Sequence, residues 1–203
     1  MKFYDIQQNE EEWDLRRIDK ATSSSFGTVM ANDGKAFGDP ARKYAMKIAL
    51  EAKTGVKLVT YNNKFMDRGH EFEPMAREQY EEDTLTVVTN GGFAEEGNWG
   101  SSSDGLVGKD GMIEIKSVIF TTQFANIKVG YDKAYRWQMQ GQMFVYQRKW
   151  CDFCSFCPEF PKGKQLHIFR VDRDDEMISK LEPRLLKFWE MVEEYKEILN
   201  ANS

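Results

Sequence analysis

Residues 104–116 read DGLVGKDGMIEIK, so an aspartate, Asp104, stands ten positions before a glutamate, Glu114, and a lysine, Lys116, follows two positions later. Lys109, Asp110 and Gly111 supply a turn, and residues 112–116 alternate apolar with charged. Glu114 and Lys116 therefore leave one strand on the same face, and Asp104 returns on the partner strand of a tight β-hairpin. Two carboxylates held close together offer hard oxygen ligands to a divalent cation, while an ammonium beside them orients an attacking water and helps to deprotonate it. That is the charge set for metal-dependent hydrolysis of a phosphate ester. Charged residues on the exposed face of a hairpin are also commonplace, so the chemistry needs company elsewhere in the chain.

Glu73 is a candidate third carboxylate. It lies one helical turn past Gly69 and directly before Pro74, which limits its backbone. The plainer reading is a surface glutamate paired with Arg77 at i+4. Tyr135 and Gln138 share a helical face, turned either to a phosphate or to solvent. The net charge of −5 argues against nonspecific coating of nucleic acid, yet residues 35–57 carry six basic side chains (Lys35, Arg42, Lys43, Lys47, Lys53, Lys57) against Asp39 and Glu51. That stretch is either a polyanion contact or a solvated helix face.

The elements that must position these residues are legible in outline. The 203 residues, 41% hydrophobic and 13% aromatic, suit one globular domain spanning 1–203. An opening helix ends over residues 13–17, and residues 21–25 form a polar loop that caps the next helix through Ser or Thr oxygens. A helix over 41–54 carries an apolar stripe of Tyr44, Ala45, Ile48 and Ala49 and ends at Gly55. Further helices are predicted over 62–82, 133–147 and 174–200, with strands over 84–88, 92–94, 150–157 and 165–172 and the hairpin over 100–118. Helices flanking a small mixed sheet define an α/β (α+β) class.

No apolar run approaches the ~20 residues that span a bilayer, and the N-terminus lacks the apolar centre of a signal peptide. Three cysteines, all within residues 151–157, fit a reducing compartment, so the expected location is cytoplasmic. Cys151, Cys154 and Cys157 with His167 invite a zinc or iron-sulfur reading. In an extended strand Cys151 and Cys157 face one way and Cys154 the other, so the three sulfurs diverge unless the segment is a loop.

Taken in order, the motifs resemble those of the lambda exonuclease (YqaJ-like) family of phage recombination nucleases, within the PD-(D/E)XK superfamily. Arg17, Thr22 and Ser24 meet R-x4-T-x-S, and Gly69, Glu73, Ala76 and Arg77 meet G-x3-E-x2-A-R. Ser102, Asp104, Gly105 and Leu106 meet S-x-D-G-L, Glu114 and Lys116 meet E-x-K, and Tyr135, Gln138 and Gln140 meet Y-x2-Q-x-Q. Single matches of this kind arise by chance; five in the right order cover most of the chain.

The resemblance implies a PD-(D/E)XK core and a Mg²⁺-dependent 5′→3′ exonuclease, with Mn²⁺ as a possible substitute. Such an enzyme digests one strand of double-stranded DNA to leave a 3′ tail for recombination by annealing. It further implies that Asp104, Glu114 and the Ile115 carbonyl hold Mg²⁺, with Glu73 assisting a second ion. Lys116 and Gln138 would position the water. Arg17, Ser24 and Ser102, with Thr22 and Tyr135 nearby, match positions around a terminal 5′-phosphate and the DNA. Without the resemblance, Ser24 reads as a helix cap and Ser102 as a strand start. Lys35 is near, but offset from, the place of a basic residue that grips downstream backbone, and it lacks the arginine fork. Met66 is placed either to wedge between bases or to pack in the core. A homotrimeric ring around DNA, a single-strand annealing protein as partner, and the cytoplasm of a bacterial host of a phage or prophage complete the expectation. An endonuclease of the same fold is the alternative, and a noncatalytic DNA-binding protein a remoter one.

Overall fold

The structure is a computed structural model that describes residues 1–58 and 64–201, apart from the side chains of residues 33, 34, 64–67 and 70. In chain order the elements are β1 (Lys2–Tyr4), α1 (Glu11–Arg17), β2 (Ala21–Thr22), a 3-10 turn (Ser23–Ser25), α2 (Phe26–Val29), a second 3-10 turn (Ala31–Gly34), α3 (Asp39–Thr54) and α4 (Lys64–Thr84). Then follow β3 (Val88–Thr89), β4 (Phe93–Glu96), β5 (Trp99–Ser101), β6 (Gly105–Val107), β7 (Gly111–Ser117) and α5 (Phe120–Val129). A 3-10 turn (Lys133–Tyr135) leads into α6 (Arg136–Tyr146), β8 (Trp150–Phe156), β9 (Leu166–Asp172) and α7 (Asp175–Ala201). No helix among the described residues is long and apolar enough to cross a membrane.

The charged strand of the sequence is the middle of the larger sheet. Strand order there is β3-β6-β7-β8-β9, with β7 antiparallel to β6 and parallel to β8. A parallel neighbour requires a crossover, which α5 and α6 supply. Because side chains alternate along β7, its two faces feed two cores. Met112 lies with Cys151, Phe153, Met139, Met143, Leu181, Leu185 and Phe188, under α6, α7 and α3. Ile113 and Ile115 lie with Cys154, Phe156, Ala76 and Tyr80, under α4. Cys151 and Cys154 thus fall on opposite faces, as strand alternation requires. All three thiols are buried.

A smaller sheet, ordered β1-β4-β5-β2, stands beside the first, so the one small sheet expected from sequence is two. The expected hairpin over 100–118 is correspondingly shorter: Trp99–Ser101 belongs to the small sheet, only β6 and β7 form the hairpin, and Asp104 sits in the bend before β6. Residues 102–104 carry the chain from one sheet into the other. That bridge is packed without slack, because a Cβ added at Gly91 would stand 1.6 Å from the Ser103 carbonyl oxygen.

Other expectations change for local reasons. The predicted strand over 84–88 is mostly the turn that leaves α4: the helix runs to Thr84, whose Oγ1 donates to the Tyr80 carbonyl, Leu85 turns to φ 56°, and Glu81 Oε1 accepts the N–H of Val88, where β3 begins. Residues 21–25 are not a capping loop. Ala21 and Thr22 pair in parallel with β5, the Ser23 and Ser101 hydroxyls bond at 2.7 Å inside the core, and the cap position of α2 makes no side-chain bond. The helix predicted over 41–54 starts two residues earlier, at Asp39; Ala45, Ile48 and Ala49 of its stripe are buried, Tyr44 is half-buried, and Gly55 is left-handed at its end. Residues 59–63, including the expected start of the next helix, lie outside the described residues; from Lys64 the helix continues through Pro74.

Helix α5 is absent from the sequence reading because its polarity is inverted. Gln123 and Asn126 are buried, bonded to Ser155 and, for Gln123, to the Gln165 carbonyl, whereas Phe120, Phe124 and Ile127 are exposed. A search for an apolar inner stripe does not find such a helix.

Helix α6 is the element on which the site depends, and its contact with α2 is tight: a Cβ on Gly141 would meet the fully buried Phe26 ring at 2.2 Å. Helix propensity alone favours Gly141→Ala by about 1 kcal/mol, while overpacking costs about 1–3 kcal/mol. The expected net result is destabilisation, read as a lower urea midpoint. A variant more stable than the parent would show that this seam can yield.

Candidate active site

Glu114 is only 1% exposed, and what makes that burial tolerable is the set of donors around it. Gln138 Nε2 donates to Oε1 at 2.6 Å, Gln142 Nε2 donates to Oε2 at 2.5 Å, and the Lys116 ammonium pairs with Oε1. Glu114 and Lys116 share the face of β7 that looks toward α6, and the two glutamines stand one turn apart on that helix. The Lys116 Nζ also lies 5.0 Å from the centre of the Tyr135 ring. Burial alone would lower the pKa of Lys116, but the charges of Glu114 and Asp104 outweigh it and raise it above the ordinary lysine value. The ammonium is therefore firmly held.

Asp104 joins this group from the bend before β6. Its Oδ2 accepts the Ile115 N–H at 2.6 Å, which fixes the carboxylate beside the middle of β7. Arg77, from α4, donates to the Asp104 carbonyl and pairs with Glu73 at 3.7 Å. The i+4 pairing expected for Glu73 is thus present, and the same arginine carries it to the Asp104 bend. Desolvation, then the negative charges of Glu114 and Glu73, push the Asp104 carboxyl well up from its ordinary range.

Oxygen donors crowded until they repel one another suit a small divalent cation, and this donor set fits one. Among the described residues no three His, Cys, Asp or Glu side chains stand together at ligating distances, so the influence of Glu73 on Asp104 is electrostatic.

A second cluster adjoins the first through Ser102. The Trp13 indole N–H donates to Ser102 Oγ at 2.7 Å, and the Arg17 guanidinium lies 4.0 Å over the Trp13 ring. Arg17 Nε is buried without a hydrogen-bond partner, and burial lowers the Arg17 pKa against the opposing charges of Tyr44, Asp14 and Glu51. Thr22 Oγ1 lies 3.3 Å from both Ser24 Oγ and the Tyr44 hydroxyl. A desolvated cation with a spare donor is suited to an anion with several oxygens.

The structure brings Asp104, Glu114, Lys116, Gln138 and Tyr135 together, with Glu73 alongside; it links Ser102 to Arg17 through Trp13, and Thr22 and Ser24 to Tyr44, whose charge bears on Arg17. Lys35 is exposed at the end of a 3-10 turn, outside both groups. Met66 falls in α4, but its side chain lies outside the described residues. The basic stretch is not one surface: Lys47 and Lys57 pair with the buried Glu51, Arg42 with Asp39, and Lys53 donates to Asn200. Gln140 is structural, donating to the Asp172 carbonyl and accepting the Asp174 N–H. Sequence reasoning missed Gln142, Trp13 and Tyr44. Gln142 is i+4 from Gln138 and Trp13 is i+4 from Arg17, and that spacing was the available signal.

An aspartate, a glutamate and a lysine gathered on a mixed sheet between helices define the PD-(D/E)XK class of nuclease, and this chain is an enzyme of that class. The sequence profile of the YqaJ-like viral recombinase domain matches residues 12–149, well over half the chain, and the protein belongs to that family. Nucleases of this kind generally work with divalent metals. Among solved structures, an alkaline exonuclease (LHK-Exo) from Laribacter hongkongensis is 34% identical, with a TM-score of 0.87 over 95% of this chain and 97% of that one. The same exonuclease in complex with dAMP gives a TM-score of 0.86 at the same identity and coverage. A phage related exonuclease from Haemophilus somnus 129PT, 16% identical over 91% of this chain and 96% of that one, has a TM-score of 0.70, a likeness of fold alone. No curated protein matches the chain.

The raised Asp104 carboxyl predicts a pH signature. Its folded pKa is higher than its unfolded one, so its contribution to stability is complete below the ordinary carboxylate range and is lost as pH rises through the folded value. Asp104→Asn keeps an acceptor for the Ile115 N–H and removes the charge. In EDTA it is expected to melt above the parent at about pH 7, with the gap narrowing toward about pH 4, the range of an ordinary carboxylate. Circular-dichroism melts at several pH values check this. A gap independent of pH would count against a repelled carboxyl.

Proposed function

We propose that the chain is one nuclease unit spanning residues 1–203 that digests one strand of double-stranded DNA in the 5′→3′ direction with Mg²⁺, for which Mn²⁺ can substitute. The 3′ tail it leaves is a substrate for recombination by strand annealing. The observation that carries this reading is the adjacency of two unlike sites on one short segment. Ser102, at the anion cluster, and Asp104, at the carboxylate cluster, are two residues apart on the bridge between the sheets. An end pocket beside a hydrolytic centre suits an exonuclease. LHK-Exo, at 34% identity over nearly the whole chain, is described as an alkaline exonuclease, which supports the same activity here.

In this reading Asp104, Glu114 and the Ile115 carbonyl hold the metal and Glu73 assists a second ion. When bound, the metal supplies a Lewis acid and stabilises charge on the attacking and leaving oxygens. Lys116, anchored on Glu114 and against the Tyr135 ring, orients the attacking water from a fixed point. Gln138 holds Oε1 of Glu114, and thereby holds the carboxylate that faces the water. Arg17, with Ser24, Thr22 and Ser102, receives the terminal 5′-phosphate. A fixed end pocket defines the register, so cleavage falls a set distance from the end. A homotrimeric ring around DNA, a single-strand annealing protein as partner, and action in the cytoplasm of a bacterial host belong to the same proposal.

Lys116→Ala is expected to abolish cleavage while leaving DNA binding largely intact, and EDTA to stop the parent enzyme. A linear duplex with a 5′-phosphate should be degraded faster than one with a 5′-hydroxyl, by about ten- to a hundredfold, because a charge-assisted hydrogen bond contributes roughly 1.5–3 kcal/mol. Arg17→Ala should erase much of that difference, and a covalently closed circle should be spared. Equal rates on the two ends, or nicking of the circle, would favour an endonuclease instead.

A further inference from the structure

The proposed mechanism gives no role to Gln142, although its side chain is 0% exposed and lies between the two clusters. Its Nε2 donates to Glu114 Oε2 at 2.5 Å and to the Ser102 carbonyl at 3.0 Å. Both acceptors are oxygens without a proton to give, so the amide must present its NH₂ to them. Its two protons are then both committed. The other half of the amide, Oε1, is buried with no hydrogen-bond partner. A residue that only filled space here would avoid that cost with an apolar side chain of the same shape. What the amide provides is a single nitrogen that ties the Glu114 carboxylate to the backbone of Ser102, whose hydroxyl accepts the N–H of Trp13, the ring on which Arg17 lies.

We infer that Gln142 is a positioning residue that couples the metal-binding carboxylate to the end pocket. The inference rests on the proposed reading of both sites. Gln138 makes the instructive contrast: its amide holds the other oxygen of Glu114 at 2.6 Å, and no bond from it to Ser102 is seen. Loss of Gln138 should therefore loosen the carboxylate alone. Loss of Gln142 should loosen the carboxylate and the Ser102 backbone together, so that two properties otherwise independent fall in one variant.

The test compares the parent, Gln142→Met and Gln138→Met, since methionine keeps length and volume and removes the amide. Mn²⁺ binding without DNA is followed by electron paramagnetic resonance, and the ratio of initial rates on 5′-phosphate and 5′-hydroxyl duplexes is measured at saturating Mn²⁺. Removal of a group that orients a ligand typically weakens metal affinity by about ten- to a hundredfold. Both variants are expected to show that loss. Only Gln142→Met should also lower the phosphate preference, at a metal concentration where weaker binding no longer matters. If Gln142→Met fails to melt cooperatively, Gln142→Asn, one methylene too short to span both acceptors, takes its place. Unchanged Mn²⁺ affinity in the Gln142 variant overturns the proposal, as does a preference kept intact or lost equally in Gln138→Met. A parent enzyme with no preference at all would sink the end-pocket reading itself, and the coupling with it.

Discussion

Placing the Glu114 carboxylate in the centre of a sheet is the constraint around which the rest of the structure is arranged. An isolated buried carboxylate would cost several kcal/mol, and packing around it does nothing to reduce that. It needs donors beyond Lys116 of its own strand, and the β7 backbone is largely taken up by pairing with neighbouring strands. Helix α6 supplies them through Gln138 and Gln142, one turn apart, so both amides reach opposite oxygens of one carboxylate. This requires α6 to lie close to the sheet and at one rotation only. Gly141 permits the approach on the Phe26 side, and Met139 and Met143, both fully buried, fill the core on the same helix.

The bridge between the sheets follows from the same demand. Asp104 must reach the Ile115 N–H, so the chain leaves β5 and enters β6 with little freedom between them. Each residue of the bridge is held by a different element. The Ser102 carbonyl is held by Gln142, the Ser103 hydroxyl bonds to the Gly105 and Ile113 carbonyls, and the Asp104 carbonyl is held by Arg77. Just before it, the Tyr146 hydroxyl lies 3.0 Å from the Ser101 carbonyl and 2.8 Å from that of Gly91. Rigidity at this point fixes two groups of side chains relative to each other, since moving Ser102 relative to Asp104 would change the distance between Trp13 with Arg17 and the carboxylates.

What could be read in the sequence was what depends on local periodicity. Alternation over residues 112–116 gave the shared face of Glu114 and Lys116, and the 3.6-residue stripe of Ala45, Ile48 and Ala49 gave α3 with its Gly55 end. What could not be read depends on partners far along the chain. Residues 21–22 look like loop because a two-residue strand exists only through its pairing with β5, some 78 residues later. Gln142 and Trp13 match no motif, and their i+4 spacing to Gln138 and Arg17 shows only a shared helix face; their roles arise from where α6 and α1 come to rest. Helix α5 was hidden by its own pattern, since its buried side is the polar one and Gln123 and Asn126 are satisfied by Ser155 on β8.

Lys116 shows why a charge motif read from sequence does not by itself fix chemistry. The side chain stands under two opposed influences: burial, which disfavours the ammonium, and the carboxylates of Glu114 and Asp104, which favour it more strongly. With those carboxylates bearing their full negative charge the lysine is a firmly protonated donor, suited to holding Glu114 and poorly suited to accepting a proton. Positive charge placed on the carboxylates reduces the second influence and leaves the first unchanged, so the lysine pKa moves downward. The same three residues thus form an ion-paired unit in which the proton affinity of the lysine follows the charge on the carboxylates.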